Sequence, residues 1–230
     1  MPNSVSSNGS SPYRGRKTGP KPSFSIDDAI KSALEVGLEQ FTLAEVSKKL
    51  GVSAPSLYRV VPSRDALVDR CMEYIASQFR PLNLDGSWEE VARDFVDGSW
   101  ELMDAYPGTD HILFSHPGTL VHFQPRVQSL AGALREKGAP CAEEEIDFVV
   151  DFLTSTCAGT HLGMTALKAT REVNAQALDQ VNHQVLRQAR SEAIEKNSDF
   201  ATATLDARGY LDKKVDFIIA GINAGFLSAR

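Results

Sequence analysis

The sequence contains no long apolar run and few cysteines. No apolar stretch approaches the ~18 residues that a membrane-spanning helix needs, and no apolar signal-peptide core lies near the N-terminus. The three cysteines, Cys71, Cys141 and Cys157, are widely spaced and form no CxxC unit, so we expect no disulfide framework. These shortages favour a cytoplasmic protein that does not enter a membrane.

Motifs of common enzyme classes are also missing from the sequence. It contains no P-loop, GxGxxG, GxSxG, HExxH or paired CxxC motif. We therefore expect no catalytic residues, no cofactor and no metal ligands. Alternating apolar patterns typical of strands are missing too, whereas helical spacing recurs along the chain, so the sequence predicts an all-α fold.

Acidic residues outnumber basic ones, but the excess is not uniform. The 230 residues carry a formal net charge of −6. Residues 1–79 hold 10 basic and 8 acidic residues, a net charge of +2, whereas residues 80–230 hold 14 and 22, a net charge of −8. Phosphate contacts are screened over roughly 10 Å, so a locally basic N-terminal part remains compatible with a nucleic-acid partner.

Residues 41–64 carry the strongest motif, two short helices joined by a tight turn. Thr42 and Glu45 form a capping-box pattern, and apolar residues at helical spacing follow as far as Leu50. Gly51 can end the first helix because glycine readily adopts a left-handed backbone. This pattern predicts a helix-turn-helix.

The second helix of this motif has a small, polar outer face. Ser53 can cap it, and Pro55 in its first turn has no amide that needs a partner. Leu57 and Val60 point inward, which leaves the outer face free to enter a DNA major groove. An ordinary helical hairpin is the alternative.

The same stretch resembles the DNA-binding domain of the tetracycline-repressor (TetR) family over about residues 24–79. The resemblance is carried by Phe41-Thr42-Leu43, Leu50-Gly51-Val52-Ser53, Pro55, Leu57-Tyr58, and Ser63-Arg64 followed by Ala66-Leu67. Where family members usually have a histidine and a lysine, this chain has Val60 and Arg64. The resemblance implies a three-helix DNA-binding domain at residues 24–79 and a helical effector-binding and dimerisation domain at residues 80–230.

The resemblance also implies which side chains meet DNA. Thr42, Tyr58 and Arg64 match family phosphate contacts, and the outer face of the second helix matches the positions that read base edges. The DNA-binding residues expected in this domain are Thr42, Ser53, Ala54, Pro55, Ser56, Tyr58, Arg59 and Arg64.

Residues 1–23 are rich in serine, glycine and proline and lack a hydrophobic period, so we predict that they are disordered. All their charged residues are basic. They form either a solubilising tail or an arm that lies in the minor groove. In the second case Arg14, Arg16 and Lys17 contact DNA.

Helical patterns continue beyond residue 80. The predicted helices are Ser87–Tyr106, Leu120–Lys137, Ala142–Leu167, Arg171–Lys196 and Tyr210–Ala229. Pro125 is expected to kink the second of these, and residues 109–118 and 197–209 are expected to be irregular.

The last predicted helix is apolar nearly all round, so each of its faces needs a packing partner. A second copy of the chain can supply one of them, which predicts a homodimer packed as a four-helix bundle. Complete burial within one subunit is the alternative. The expected dimer residues are Ile146, Val150, Leu153, Cys157, Ile218, Gly221, Ile222, Gly225 and Phe226.

Aromatic residues from several segments of the second domain are either core residues or the lining of a cavity. The cavity would lie between the helices that begin near Ser87, Leu120 and Ala142. The expected effector-binding residues are Phe95, Trp100, Met103, His111, Phe114, His116, Phe123, Phe152, Thr156, Thr160 and His161. The histidine spacings do not place these rings on one helical face, so ordinary packing is the alternative to a metal site. In the name-giving family member a histidine in the matching region helps to bind a metal–drug complex, which draws attention to His111 and His116.

These features favour a homodimeric transcriptional repressor that leaves a palindromic double-stranded DNA operator when a small-molecule effector binds. Its expected location is the cytoplasm, at the bacterial nucleoid. One alternative is a DNA-bound interaction protein with a filled core and no effector. Another is a helical enzyme or metal carrier, against which the missing catalytic motifs argue.

Overall fold

The computed structural model describes residues 24–180 and 207–227, with side chains for residues 24–170 and 208–227. Every regular element within these ranges is helical, which confirms the predicted all-α fold. The α-helices are α1 (Ile26–Val36), α2 (Leu43–Lys49), α3 (Ala54–Tyr58), α4 (Arg64–Ser77), α5 (Trp88–Ala105), α6 (Thr109–Ser115), α7 (Gln124–Glu136), α8 (Ile146–Gln180) and α9 (Ala207–Asn223). Two 3-10 segments cover Pro117–Phe123 and Glu143–Glu145. None of the helices in these ranges has the length and apolar character needed to cross a membrane.

Capping boxes set the starts of three helices, and the one at Thr42 is the box that the sequence predicts. The hydroxyl of Thr42 accepts a hydrogen bond of 3.2 Å from the amide of Glu45, whose carboxylate accepts one of 2.8 Å from the amide of Thr42. Ser25 begins α1 and Ser87 begins α5 in the same reciprocal way. Each box satisfies amide groups that a helix N-terminus otherwise leaves unpaired.

Helices α1 to α4 pack around one apolar core. Phe41, Leu57, Leu67 and Met72 are fully buried within it. Burial of one such side chain stabilises the fold by about 1.5–3 kcal/mol relative to exposure. Packing of Leu57 therefore holds α3 in place, because five residues are too few for a helix to be stable alone.

The turn between α2 and α3 follows the prediction except at its second cap. Gly51 has φ of +67°, in the left-handed region that glycine adopts without steric cost. Ser53 lies at the start of α3, but its hydroxyl makes no capping bond to the helix backbone. That prediction is wrong because the hydroxyl instead shares a hydrogen bond of 2.8 Å with Ser56 Oγ.

A second core lies between α5, α7, α8 and α9. It is centred on the buried side chains of Phe95, Leu134, Leu153 and Val215, one from each helix. An ion pair between Arg93 and Asp216, with 2.6 Å between Nη1 and Oδ1, joins α5 to α9 at the surface. The second unit is therefore a four-helix packing with an apolar centre.

Three predictions before α8 need correction, two helix boundaries and one kink. Residues 109–115 form α6, where an irregular stretch was expected. The helix expected from Leu120 is instead a 3-10 segment followed by α7, which begins at Gln124. Pro125 does not kink this helix because it lies in the first turn, where its missing amide leaves no hydrogen bond unmade.

The last two described helices differ in length from the prediction. Helix α8 continues to Gln180, so it includes the first part of the separate helix expected at Arg171–Lys196. Helix α9 begins at Ala207, inside the expected loop, and ends at Asn223. It stops early because Gly225 takes a left-handed φ of +74°. The predictions for residues 181–206 lie outside the described residues.

The two units share apolar contacts. Leu102 of α5, Ile112 of α6 and Phe123 of the 3-10 segment are buried against the core of α1 to α4. Arg80, in the connection after α4, pairs with Asp94 and Glu101 of α5. Displacement of α6 or the 3-10 segment would therefore disturb contacts with the first unit.

Candidate DNA-binding surface and effector cavity

Helix α3 presents an exposed face opposite its buried residue. Leu57 is fully buried, whereas Tyr58 is 53% exposed. Ala54, Pro55 and Arg59 are exposed as well. The outer face predicted to read base edges is thus accessible in the free protein.

A row of hydrogen bonds orders this face. The hydroxyl groups of Ser53 and Ser56 lie 2.8 Å apart, and Arg59 Nη2 donates to Ser56 Oγ at 3.1 Å. The three side chains are one helical turn apart and lie on the same side of α3. The guanidinium of Arg59 is therefore held along the helix surface before DNA arrives.

Arg64 is directed toward the protein. Its Nε donates to the carbonyl of Phe41 at 3.1 Å, its Nη2 donates to the carbonyl of Glu39 at 2.6 Å, and the guanidinium stacks 4.9 Å from the Phe41 ring centre. These bonds tie the start of α4 to the loop between α1 and α2. The sequence shows the charge of Arg64 but not this use of it, because the partners are carbonyl groups more than twenty residues away.

The other expected DNA contacts are placed as follows. Thr42 is exposed at the start of α2, where its hydroxyl already takes part in the capping box. Arg14, Arg16 and Lys17 lie outside the described residues, so the arm stays a prediction.

An apolar cavity of about 450 Å³ lies in the second unit. Its wall comes from α5, α6, α7, α8, the 3-10 segment and the connection after α4. The lining residues are Phe79, Phe95, Ser99, Leu102, Met103, Thr109, Leu113, Leu120, Phe123, Gln124, Arg126, Val127, Gln128, Ala131, Asp147, Val150, Asp151, Thr154, Cys157 and Ala158. The volume and the mixture of many apolar with few polar groups are typical of small-molecule sites.

Three of the expected effector residues line this cavity: Phe95, Met103 and Phe123. The other expected residues do not line it, and they are Trp100, His111, Phe114, His116, Phe152, Thr156, Thr160 and His161. Phe152, Thr156 and Thr160 instead border a surface groove between α8 and α9. Helix α8 turns these side chains away from the cavity, while Val150, Thr154 and Ala158 face it.

Sequence reasoning missed Phe79 and Arg126. Phe79 follows α4 and stacks on Phe95, with ring centres 6.4 Å apart, and its ring meets Phe123 edge-on at 6.2 Å. The guanidinium of Arg126 lies 5.0 Å from the ring centre of Phe79 and 5.8 Å from that of Phe95. The only sign of this site in the sequence was an arginine among the apolar residues of α7.

Arg126 occupies an unusual electrostatic position. Its Nε and Nη2 atoms are shielded from solvent and have no hydrogen-bond partner among the described residues. Burial lowers the pKa of the guanidinium, as does the nearby charge of Arg80, whereas the charge of Asp94 acts in the opposite direction. The group still stays protonated at any physiological pH.

His161 is buried between two carboxylates beside the cavity wall. Its Nδ1 lies 2.6 Å from Asp110 Oδ2, and its Nε2 lies 3.2 Å from Asp104 Oδ1. Burial alone would lower the pKa of His161, but its hydrogen bonds to the two carboxylates outweigh burial and raise it. The pKa of Asp110 is lowered because the bonds from His161 and the His111 amide outweigh burial. The ring thus links α8 to α6 and to the end of α5.

Cys157 lines the cavity as an un-ionised thiol. Its Sγ donates toward the carbonyl of Val96 at 3.7 Å, and burial raises its pKa to about 12. Among the described residues, no three side chains of His, Cys, Asp or Glu are grouped so that they could hold a metal ion.

The expected dimer residues need correction. Six of them, Ile146, Val150, Leu153, Cys157, Ile218 and Ile222, are buried in the core of their own subunit. The exposed side of α8 and α9 instead carries Phe148, Phe152, Phe217 and Phe226, which we call the phenylalanine face. Phe217 is 75% exposed and Phe226 is 71% exposed. Both helices are apolar on two sides, and the periodicity alone did not show which side meets the core.

Two other expected dimer residues lie at this face. Gly221 borders a shallow groove together with Phe148, Phe217 and Phe226. A Cβ at Gly221 would lie 3.3 Å from the Phe226 ring, so the glycine allows this ring to fold back against α9. Gly225 supplies the left-handed turn that carries the chain to Phe226.

Comparison with known sequences identifies the first unit. Residues 26–71 match the family model described as bacterial regulatory proteins of the tetR family. The HTH-type transcriptional repressor DrrR1 of Streptomyces coeruleorubidus is 33% identical over 86 residues, which cover 36% of this chain and 28% of that protein. The aligned segment therefore spans little more than a quarter of that repressor.

Solved structures resemble the chain over most of its length. ActR, a TetR family protein from Streptomyces coelicolor, was solved in complex with actinorhodin, and it has a TM-score of 0.62 and 18% identity over 90% of this chain and 98% of that chain. A single-residue variant of TetR from Acinetobacter baumannii AYE, solved with minocycline, has a TM-score of 0.59 and 18% identity over 89% of this chain and 94% of that chain. At such identities the likeness shows a common fold. Residues 26–71 therefore match the tetR family of bacterial regulatory proteins, and the fold of the described residues resembles that of solved TetR family proteins.

Proposed function

We propose that the protein is a homodimeric transcriptional repressor that leaves its DNA operator when a small molecule occupies the cavity. The main support for this proposal is the position of the Pro117–Phe123 segment. Leu120 and Phe123 of this segment line the cavity, while His122 of the same segment bonds to Asp69 of α4. A compound in the cavity would therefore press on a segment that also holds the DNA-binding unit.

The DNA-binding half of the proposal rests on the exposed face of α3. Two copies of this face in a two-fold dimer would enter successive major grooves about 34–36 Å apart or slightly more. Tyr58 and Thr42 would contact phosphates, and Arg59 with Ser56 would meet base edges. Arg14, Arg16 and Lys17 would add minor-groove contacts from the N-terminal arm.

The dimer in this proposal is assembled through the phenylalanine face. A surface with four large exposed phenylalanines is costly to leave in water, and such patches mark protein contacts. The face lies on α8 and α9, so a two-fold axis there would build a four-helix bundle from two subunits.

The effector half is supported by the cavity and by relatives. The solved ActR and TetR structures are described as complexes with actinorhodin and minocycline, respectively. A cavity of about 450 Å³ also disfavours the alternative of a DNA-bound interaction protein with a filled core. Linkage requires that DNA weaken effector binding by the same factor by which the effector weakens DNA binding.

Two measurements test the two halves separately. Selection from random-sequence DNA should enrich a palindrome, and fluorescence anisotropy should show that the enriched duplex binds more tightly than unrelated DNA. Cavity access is tested with N-phenyl-1-naphthylamine, an uncharged dye that fluoresces in apolar surroundings. The matched control is Ala131→Trp, because Ala131 is buried in the cavity wall and an indole there would fill the space.

The wild type should bind the dye, and Ala131→Trp should bind DNA but not the dye. Library compounds that raise the Tm of the wild type alone are then tested for release of the selected DNA. A chain that enriches no DNA sequence is not a repressor of this kind. If the protein binds DNA but excludes the dye, the DNA-binding half of the proposal stands and the effector half is wrong.

A further inference from the structure

Arg126 holds hydrogen-bonding capacity that no described protein group uses. Its Nε and Nη2 atoms are buried without a partner, in a wall made mostly of hydrocarbon. A buried donor that gives up its water contacts without a replacement is unfavourable, and more so when it is charged. The side chain cannot escape the cost by losing its proton.

The rings of Phe79 and Phe95 leave the donor edge of this guanidinium free. They lie 5.0 Å and 5.8 Å from the guanidinium carbon, so they cover it by cation–π contacts. A guanidinium carries its N–H groups in one plane, at the edge of the group. That fork matches the two oxygens of a carboxylate or another oxyanion.

Neighbouring charges do not satisfy Arg126 by direct contact. Arg80 lies close by, on the same side of Gly98, where a Cβ would be 3.4 Å from Arg80 Cζ and 3.6 Å from Arg126 Nη2. Arg80 takes Asp94 and Glu101 as its own partners at 2.7 Å and 2.9 Å. Arg80 is therefore engaged with its own carboxylates, and Arg126 is left without a directly bonded anion.

The acidic residues of the cavity are placed differently. Asp147 is bound by Arg135, whose Nη2 lies 3.1 Å from its Oδ1. Asp151 is exposed, which places it at the solvent end of the cavity. Neither bonds to Nε or Nη2 of Arg126, and an anion at Arg126 would meet the guanidinium and the aromatic rings instead.

We propose that the cavity takes a planar, apolar compound bearing an acidic group, and that Arg126 binds this group. The flat part lies among Phe95, Phe123 and Met103, and the acidic oxygens accept from the Arg126 guanidinium. This inference rests on the proposed function, because it names the chemical class of the compound that the same cavity binds.

A matched pair of dyes tests the class. 1-Anilinonaphthalene-8-sulfonate and N-phenyl-1-naphthylamine have the same rings, and they differ by one sulfonate. In the wild type the sulfonate dye should bind at least about tenfold more tightly than in Arg126→Gln, the order expected for a lost charged hydrogen bond. The uncharged dye should change by less than about twofold.

Two further variants separate charge from geometry. Arg126→Lys keeps the charge but not the stacked fork, so its affinity for the sulfonate dye should fall between those of the wild type and Arg126→Gln. Arg93→Gln is the control, because Arg93 is a surface arginine of α5 paired with Asp216. It should leave both affinities unchanged. Any binding of dye to the phenylalanine face does not depend on Arg126, so it contributes equally to the wild type and the Arg126 variants.

The possible failures are distinguishable. Equal binding of the two dyes, unchanged in Arg126→Gln, would overturn the acidic class while leaving the cavity as a binding site. Exclusion of both dyes from the wild type would remove the effector half of the proposed function as well. If Arg126→Gln does not fold, Arg126→Lys and competition by 2-naphthoate against 2-naphthamide on the wild type decide the question in the same way.

Discussion

His122 and Asp69 join the two units of the protein through one hydrogen bond. His122 Nε2 lies 2.8 Å from Asp69 Oδ1, and the histidine side chain is largely shielded. His122 belongs to the segment that lines the cavity, and Asp69 lies on α4, which holds the helix-turn-helix. A second histidine of the same region, His116, approaches Asp65 of α4 at 4.0 Å. Phe123, which lines the cavity, is thus the direct neighbour in sequence of His122, which makes a polar contact with α4.

The first prediction is that loss of this bond uncouples the two sites. His122→Gln should change the free energy of unfolding by less than about 1 kcal/mol, because Asp69 is partly exposed. It should reduce the coupling between a cavity compound and operator DNA by about 0.5–2 kcal/mol. The measurement is the ratio of DNA affinities with and without a compound selected by thermal shift.

Glu73→Gln provides the control for this coupling. Glu73 pairs with Arg70 at 2.7 Å within α4, so its bond does not cross between the units. Its ratio of DNA affinities should equal that of the wild type. A His122→Gln protein with the wild-type ratio would place the coupling elsewhere.

The second prediction concerns the hydrogen-bonded row on α3. Arg59→Ala should weaken binding to the selected DNA by about 1–3 kcal/mol and relax preference at one base pair. Tyr58→Phe should weaken binding evenly across sequences if its hydroxyl meets a phosphate. Anisotropy titrations with a series of single-base-pair substitutions separate these effects, and Arg70→Gln on α4 is the matched basic control.

The third prediction concerns the phenylalanine face. Phe217→Asp should yield a folded monomer, because Phe217 is exposed and surface substitutions typically change stability by only about 0.5 kcal/mol. Sedimentation at micromolar concentration measures the association, and operator affinity should fall with it. Leu84→Asp is the control, since Leu84 is an exposed apolar residue in the loop before α5. A Phe217→Asp protein that remains dimeric would exclude this face as the interface.

Ile222→Asp should behave differently from Phe217→Asp. Ile222 is buried in the subunit core, so the buried carboxylate should unfold the chain rather than separate two folded copies. Circular dichroism distinguishes the two results.

The fourth prediction is a pH dependence of stability from His161. Its pKa is raised in the folded protein, so its contribution is complete below the unfolded-state pKa of about 6.5 and is lost as the pH rises through the folded value. The pKa of Asp110 is lowered, so its contribution is present above its unfolded value and is lost in acid. In urea unfolding, the wild type should lose stability relative to His161→Gln as the pH rises above about 6.5.

His161→Gln also leaves a buried carboxylate with one partner fewer. The variant should lose about 1–3 kcal/mol at pH 6, because Asp110 is 2% exposed and keeps its bond from the amide of His111. Subtracting the free energy of unfolding of His161→Gln from that of the wild type removes the contributions of the other titrating groups. A constant difference across this pH range would mean that the ring does not change its charge there.

Local chemistry explains which parts of the fold were predictable. The capping box at Thr42 needs groups only three residues apart, so sequence spacing was sufficient to predict it. Ser53 is also a residue type that commonly caps helices. Its hydroxyl could bond either to the backbone of α3 or to the hydroxyl of Ser56, and the three-dimensional geometry favours Ser56. Pro125 fits the start of a helix as well as a kink, and the sequence alone did not show that α7 begins there.

Tertiary packing decided the rest of the site. Leu153 and Phe152 are adjacent on an apolar helix, yet one is buried in the core and the other is exposed on the surface. Arg126 was missed because its importance comes from burial beside Phe79, which lies 47 residues earlier in the chain. Neither relationship leaves a signal in the spacing of the residues themselves.

Burial of the thiols determines how the protein can respond to reactive chemicals. Burial raises the pKa of both Cys71 and Cys157 to about 12, and it also raises the pKa of Cys141. At neutral pH Cys157 is therefore almost entirely a thiol, whereas the thiolate is the form that attacks electrophiles and is readily oxidised. An oxidant or a quinone entering the cavity would therefore meet a thiol that does not react with it. Under the proposed function, recognition there would depend on reversible fit and charge, and the protein would reset as soon as the compound is diluted.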